Sequence, residues 1–152
     1  MPKTRELPTT IRPKTNRTKN PNNKSKTNPA QKINKLQEYN RLRDIQSALQ
    51  EGTITCREVV EDYLARIRDH QALNAFIEVY EEEALQRADT IDQKIASGES
   101  IGRLYGLIMG VKDVICQQDH HVSASSAILE GFTSLYSSTA VARLLEEDAI
   151  VI

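Results

Sequence analysis

Residues 106–116 read GLIMGVKDVIC, an apolar run broken by one charged pair, Lys112-Asp113. An ammonium without a counter-charge is expensive to bury, and burial weakens its hold on a proton. A lysine in that position can serve as a general base. The same pattern fits a plainer role, a lysine at a strand end whose stem lies on apolar surface while its head reaches water. In an extended segment adjacent side chains point to opposite faces, so Lys112 and Asp113 are not expected to neutralise each other.

Other candidate groups carry less. His120 and His121 are adjacent in a polar stretch; neighbours in sequence rarely chelate one metal, so a solvated loop is the reading. Ser123, Ser125 and Ser126 have neither the glycine-framed elbow nor the nearby base of a nucleophile, and read as loop serines that satisfy backbone groups. Cys56 and Cys116 have no CxxC or His spacing around them. They read as free thiols in a reducing compartment, with neither a zinc site nor a disulfide frame indicated. No GxxxxGK[ST] or GxGxxG is present, so the chain has no nucleotide-binding signature.

The elements that must hold Lys112 are legible from periodicity. Leu42, Ile45 and Leu49 fall at helical spacing, with Gly52 as the stop. Thr55-Cys56-Arg57-Glu58 fits a capping box that opens a helix with the stripe Val59, Val60, Tyr63, Leu64, Ile67. Residues 74–80, NAFIEVY, suggest a short strand or an extended segment. Residues 81–97 predict a helix whose acidic first turn suits the positive end of its dipole, ended by Gly98. Leu107 to Cys116 is long enough for one or two buried strands, and Ser126–Leu129 for a brief helical turn within a polar loop. Ser137 is placed to cap a helix with Val141, Leu144 and Leu145 on its apolar face, and the closing AIVI reads as a buried strand. The fold class implied is α/β, with no internal repeat.

Charge divides the chain. Its 152 residues carry a net charge of −1, yet residues 1–35 carry ten Lys or Arg and one acid, against ten and twenty in the remainder. The first segment lacks aromatics and nearly all aliphatics. It is expected to be a disordered basic tail, because it has too little apolar surface to offset its ordering entropy. A basic arm that touches RNA is the functional alternative, on a weaker footing. No apolar run approaches the ~18 residues of a membrane span, and the opening residues do not resemble a secretory signal.

LYGLIMGVKDVIC (104–116), SAILEGF (126–132) and YSSTAVARLLEEDAIVI (136–152) resemble, in order, the amidase-signature family. Upstream, LRDIQSALQEGTITCREVVEDYLARI and LNAFIEVYEEEALQRAD are similar to its branch of glutamyl-tRNA(Gln) amidotransferase A subunits. The resemblance covers residues 36–152. It implies an amidase-signature fold, a mixed sheet core flanked by helices, of which only the N-terminal helices and first strands fall in this chain.

By the same resemblance Lys112 matches the lysine of a Ser–cis-Ser–Lys unit that releases ammonia from glutamine through an acyl-enzyme. Both serines of that unit would lie after residue 152, and their roles do not transfer to Ser123, Ser125 or Ser126. The chain by itself is therefore expected to be inactive, and to hold no cofactor. ATP and Mg²⁺ would act in the B subunit of the complex. The partners implied are the B and C subunits and Glu-tRNA(Gln), in the cytoplasm and off the membrane. Two departures stand out: the family's proline at the strand entry is Ile108, and its Thr-Thr-Cys-Ala-Ser-Lys is Val122-Ser123-Ala124-Ser125-Ser126-Ala127. The alternatives are part of another amidase-signature hydrolase of small amides, or a non-catalytic segment that docks a partner.

Overall fold

The computed structural model describes Tyr39 and residues 41–152. The basic segment 1–35 lies outside the described residues. Helix α1, Leu42–Gln50, buries Ala48 and Leu49 and ends where Gly52 turns with a positive φ. Helix α2, Cys56–Asp69, opens on the expected capping box: the Glu58 N–H donates to Thr55 Oγ1, and the Thr55 N–H to Glu58 Oε2, both at 3.1 Å. Helix α3, Glu81–Ser97, has three glutamates in its first turn and a left-handed Gly98 at its end. Each of these three agrees with the periodicity, because amphipathic stripes with caps are local signals.

Packing of α2 on α3 makes the core. Val59, Val60 and Leu64 of α2 are buried in one cluster with Ala84, Ala88 and Ile91 of α3. Alanines on α3 keep that face narrow, so the two helices can approach closely. A polar clamp adds to the contact. The Cys56 and Arg57 N–H groups donate to the two Asp92 carboxylate oxygens at 2.7 and 3.1 Å, so α3 supplies a second cap to α2. Burial raises the Asp92 pKa in spite of these bonds. Burial, and then the Asp92 charge, push the Cys56 thiol up to about 12. Cys56 is a packed, unreactive thiol.

Two short parallel strands lie on this helical layer. Strand β1, Ile108–Met109, pairs with β2, Ile150–Val151, in the register Ile108 to Ile150 and Met109 to Val151. The connection between them contains a 3-10 turn at Ala127–Leu129 and helix α4, Thr139–Glu146. Ile150 and Ile152 belong to the core cluster. Helix-then-strand at the end of the sequence is therefore as expected. Two other expectations resolve to one of their alternatives, and the expected cap of α4 changes. Leu107 to Cys116 holds one two-residue strand followed by a turn, because β1 has a single partner to pair with among the described residues. Residues 75–80 run without strand pairing, the extended one of the two alternatives, after a left-handed Asn74. The cap of α4 is Ser138, whose Oγ accepts from the Val141 N–H; the Ser137 hydroxyl instead accepts from the Gln118 N–H at 3.0 Å.

Asp148, in the turn between α4 and β2, joins all the layers. Its buried carboxylate accepts from Lys94 Nζ at 2.8 and 3.1 Å, from Arg87 at 3.3 Å and from the Gly102 N–H at 2.8 Å. Burial works against the charged form, but the Gly102 N–H, Lys94 and Arg87 outweigh it and hold the carboxyl below its ordinary range. Gly102 is there because nothing larger fits: a Cβ would overlap the Glu147 backbone.

Removing the Asp148 carboxylate should therefore strand two partly buried cations. Asp148→Ala is expected to cost about 3 kcal/mol in urea denaturation. A carboxyl depressed in the folded state stabilises fully above its unfolded pKa of about 3.9, and loses that contribution as pH falls through the lowered value. Asp148→Asn should accordingly flatten the acid limb of stability below about pH 4. Gly102→Ala should cost about 1–3 kcal/mol by the same measurement, as overpacking does.

Candidate functional site

Lys112 lies just past the end of β1, at the rim of a cleft of about 500 Å³. Three segments enclose it: 110–117, the extended stretch 75–80, and the loop 120–132, with Val151 and Ile152 contributing from the end of the chain. The lysine is exposed, as in the reading of a strand-end lysine that reaches water, which corrects the reading of a buried one. The reason is that β1 ends at Met109, so the apolar run turns outward before it reaches Lys112, and Val114 and Ile115 are exposed beside it. The Asp113 carboxylate turns to partners other than its neighbour Lys112, in keeping with the sequence reading of that pair.

Those partners lie ten and more residues downstream. The carboxylate accepts from the Ser123 N–H at 2.8 Å, the Ser123 hydroxyl at 2.6 Å and the Ser125 N–H at 3.4 Å. The turn that presents these donors has Ala124 and Ser125 at positive φ, 47° and 56°. Consecutive N–H groups in such a turn form a concave nest for an anion. The Ser123 hydroxyl, and then its N–H, hold the Asp113 pKa below the usual aspartate value. Ser123 Oγ also accepts from the Ser125 N–H at 3.2 Å, so the reading of these serines as satisfiers of backbone groups is met at Ser123.

The opposite wall is a carboxylate–histidine arrangement that the sequence did not reveal. Glu78 receives the Tyr80 hydroxyl at 2.8 Å and faces His121 Nδ1 at 2.7 Å. The His121 bond, then the Tyr80 bond, lower the Glu78 pKa. Tyr80 is pushed up to about 12, by burial first and then by Glu78. His120 stands edge-on to Tyr80 with ring centroids 4.2 Å apart, and its Nε2 lies 3.0 Å from Glu83. Its Nδ1 donates to the Gln118 carbonyl at 2.7 Å. The two histidines are in a loop, as expected, but His120 is largely covered rather than solvated. Adjacent histidines diverge to different carboxylates because His121 forms an antiparallel bridge with Thr133, which sends neighbouring side chains to opposite faces.

Sequence reasoning singles out Lys112, which is among the residues lining this cleft, and does not anticipate the Glu78, Tyr80 and Asp113–Ser123 bonds beside it. Glu78 and Tyr80 fall within one candidate strand, which gives no reason to join them to residues some forty positions away. The small residues of Ser123-Ala124-Ser125 are the one local hint of a tight turn able to receive a carboxylate.

Comparison with known proteins follows the same outline. The family model described as Amidase matches residues 58–152. The A subunit of glutamyl-tRNA(Gln) amidotransferase from Chlorobium phaeobacteroides (strain BS1) is 45% identical over 108 residues, 71% of this chain and 23% of that protein. Its counterpart from Chlorobium luteolum is 47% identical over 107 residues, 70% and 22% of the respective lengths. The chain therefore spans under a quarter of the length of these curated relatives. Among solved structures, native peptide amidase from Stenotrophomonas maltophilia matches with a TM-score of 0.69 and 28% identity, over 76% of this chain and 24% of that one. An amidase family protein from Bacillus anthracis matches with a TM-score of 0.71 and 26% identity, over 82% and 25%. No helix among the described residues is long and apolar enough to cross a membrane.

The Glu78 bonds should be what holds the extended segment to the loop across the cleft. In Glu78→Ala, amide hydrogen exchange is expected to speed up at His120, Val122 and Ser123, whose N–H groups are bonded in the loop, while the amides of α2 and α3 keep their protection.

Proposed function

The chain belongs to the amidase family, and from that premise we propose that residues 36–152 are the N-terminal part of the A subunit of a glutamyl-tRNA(Gln) amidotransferase. The observation that carries this reading is the 45–47% identity to such subunits across about 70% of the chain. The similar peptide amidase structure stands lower, at 28%. The complete protein would hydrolyse glutamine to glutamate and ammonia. Its partners would be the B and C subunits, with ATP and Mg²⁺ used in the former to activate the glutamate on Glu-tRNA(Gln), in the cytoplasm.

Lys112 is the general base in this proposal. It accepts a proton through a bridging serine, and a second serine attacks the carboxamide carbon. Ammonia leaves, and water then releases glutamate from the acyl-enzyme. Both serines belong to the part of the family fold outside residues 1–152. What supports Lys112 is its motif, its place three residues beyond the end of β1, and its position on the lining of a cleft. In such a site an exposed ammonium needs water excluded from it before it can act as a base, and the elements bearing the serines are proposed to supply that cover.

The similar solved amidases motivate a second reading, hydrolysis of a different small amide. One experiment separates the two. Residues 41–152 replace the matching segment of the Chlorobium luteolum protein, and the hybrid is assembled with its B and C subunits. Glutamine-dependent formation of Gln-tRNA(Gln) supports the proposal. A folded hybrid that leaves glutamine intact and cleaves another amide supports the second reading. Lys112→Ala in the active hybrid should lower glutamate release by about 10²–10⁴-fold, the usual range for a lost general base. Release at the parental rate from folded protein would remove Lys112 from that role.

A further inference from the structure

Segment 110–115 carries Lys112, and little holds it. β1 ends at Met109, whose carbonyl accepts from the Ile152 N–H at 3.0 Å. The next anchor is Cys116, whose carbonyl accepts from the Ser138 N–H at 2.8 Å. Between them one backbone bond closes a local turn, Ile115 N–H to the Lys112 carbonyl at 2.8 Å. Apolar packing adds little, since Val114 is 59% and Ile115 39% exposed. Among the described residues, the hydrogen bonds that tie 110–115 to another segment all go to the Asp113 carboxylate.

We propose that Asp113 is a positioning residue for Lys112, clamping the lysine's loop to the turn at Ser123–Ser125. The inference rests on the reading of Lys112 as the base. Three donors on two carboxylate oxygens fix the orientation as well as the distance of residue 113. Lys112, one residue earlier, is then confined between this clamp and the end of β1. Consecutive positive φ angles at Ala124 and Ser125 are costly for residues with a Cβ, and persist where surrounding bonds over-determine them. The carboxylate gathers the N–H groups that this conformation aligns, so clamp and turn sustain each other. A base held on so thin a segment is sensitive to placement, because a displacement of about 1 Å at a reacting group can cost on the order of 10²-fold in rate. The chemistry requires an acceptor at 113 and a hydroxyl at 123, and a threonine at 123 would retain the hydroxyl.

The test uses the hybrid protein in its complex, with glutamate release read as kcat and KM and the folded fraction read by thermal melting. Asp113→Ala is expected to lower kcat about 10–100-fold per folded molecule with KM changed less than about twofold, the pattern of a misplaced group rather than lost substrate binding. Ser123→Ala, which removes the 2.6 Å bond and the 3.2 Å acceptor of the Ser125 N–H but leaves both N–H bonds to Asp113, should give a smaller loss in the same direction. Ser123→Thr should restore the parental kcat. Should Asp113→Ala not fold, the Ser123→Ala and Ser123→Thr pair decides the matter by the same readout. Parental kcat in folded Ser123→Ala and Asp113→Ala, alongside a dead Lys112→Ala, would overturn the clamp and leave the base in place. An active Lys112→Ala would instead overturn the base, and the clamp's purpose with it.

Discussion

A single buried carboxylate, that of Asp148, fixes the relation between the helical layer and the strands. Lys94 and Arg87 reach it from α3, and the Gly102 N–H from the segment that leads into β1. Two cations and one backbone donor on one anion define a geometry that apolar packing alone leaves loose. The turn it occupies sets the start of β2, and β2 sets β1 through the register Ile108 to Ile150. The place of Lys112 therefore depends on a charge at the other end of the sheet. Such a network is costly to bury, and Arg87 Nε finds no partner among the described residues. What it provides is a defined position, which a site needs more than it needs stability.

Rigidity falls off along the path from that carboxylate to the cleft. The helices carry the apolar core, with Val60, Leu64, Ala88 and Ile91 almost wholly inaccessible. The sheet contributes two residues per strand. Beyond Met109 the chain leaves the sheet, and order passes from burial to directed hydrogen bonds: Asp113 to the 123–125 turn on one wall, Glu78 to Tyr80 and His121 on the other. Exposed charged groups are cheap to reposition, and polar clamps set them without dehydrating them. An amidase-family lysine at the rim is thus placed by its neighbours' carboxylates, and its own surroundings remain open to solvent in the described residues.

Much of the helical frame was legible in the sequence. Thr55 and Glu58, the acidic run at 81–83 and the glycines at 52 and 98 are local signals, since caps and breakers act within a turn or two of themselves. The motif around Lys112 was legible as well, as a charged pair in an apolar run. The closing AIVI declared itself a buried strand by composition. What could not be read was which way the run turns after Met109, and with that whether Lys112 is covered; strand length depends on a partner, and partners are not written in local spacing.

The sequence by itself determined the helices, the cap at Thr55, the stops at Gly52 and Gly98 and the α/β class, and it singled out Lys112 as a candidate, because each follows from interactions between residues close along the chain. Only the tertiary structure decided that Asp113 belongs to Ser123, that Glu78 meets His121, and that Asp148 gathers Lys94, Arg87 and Gly102. Those pairings join residues ten to sixty-one positions apart. A carboxylate's choice among many possible donors is made by which of them the folded core brings within about 3 Å and shields from water.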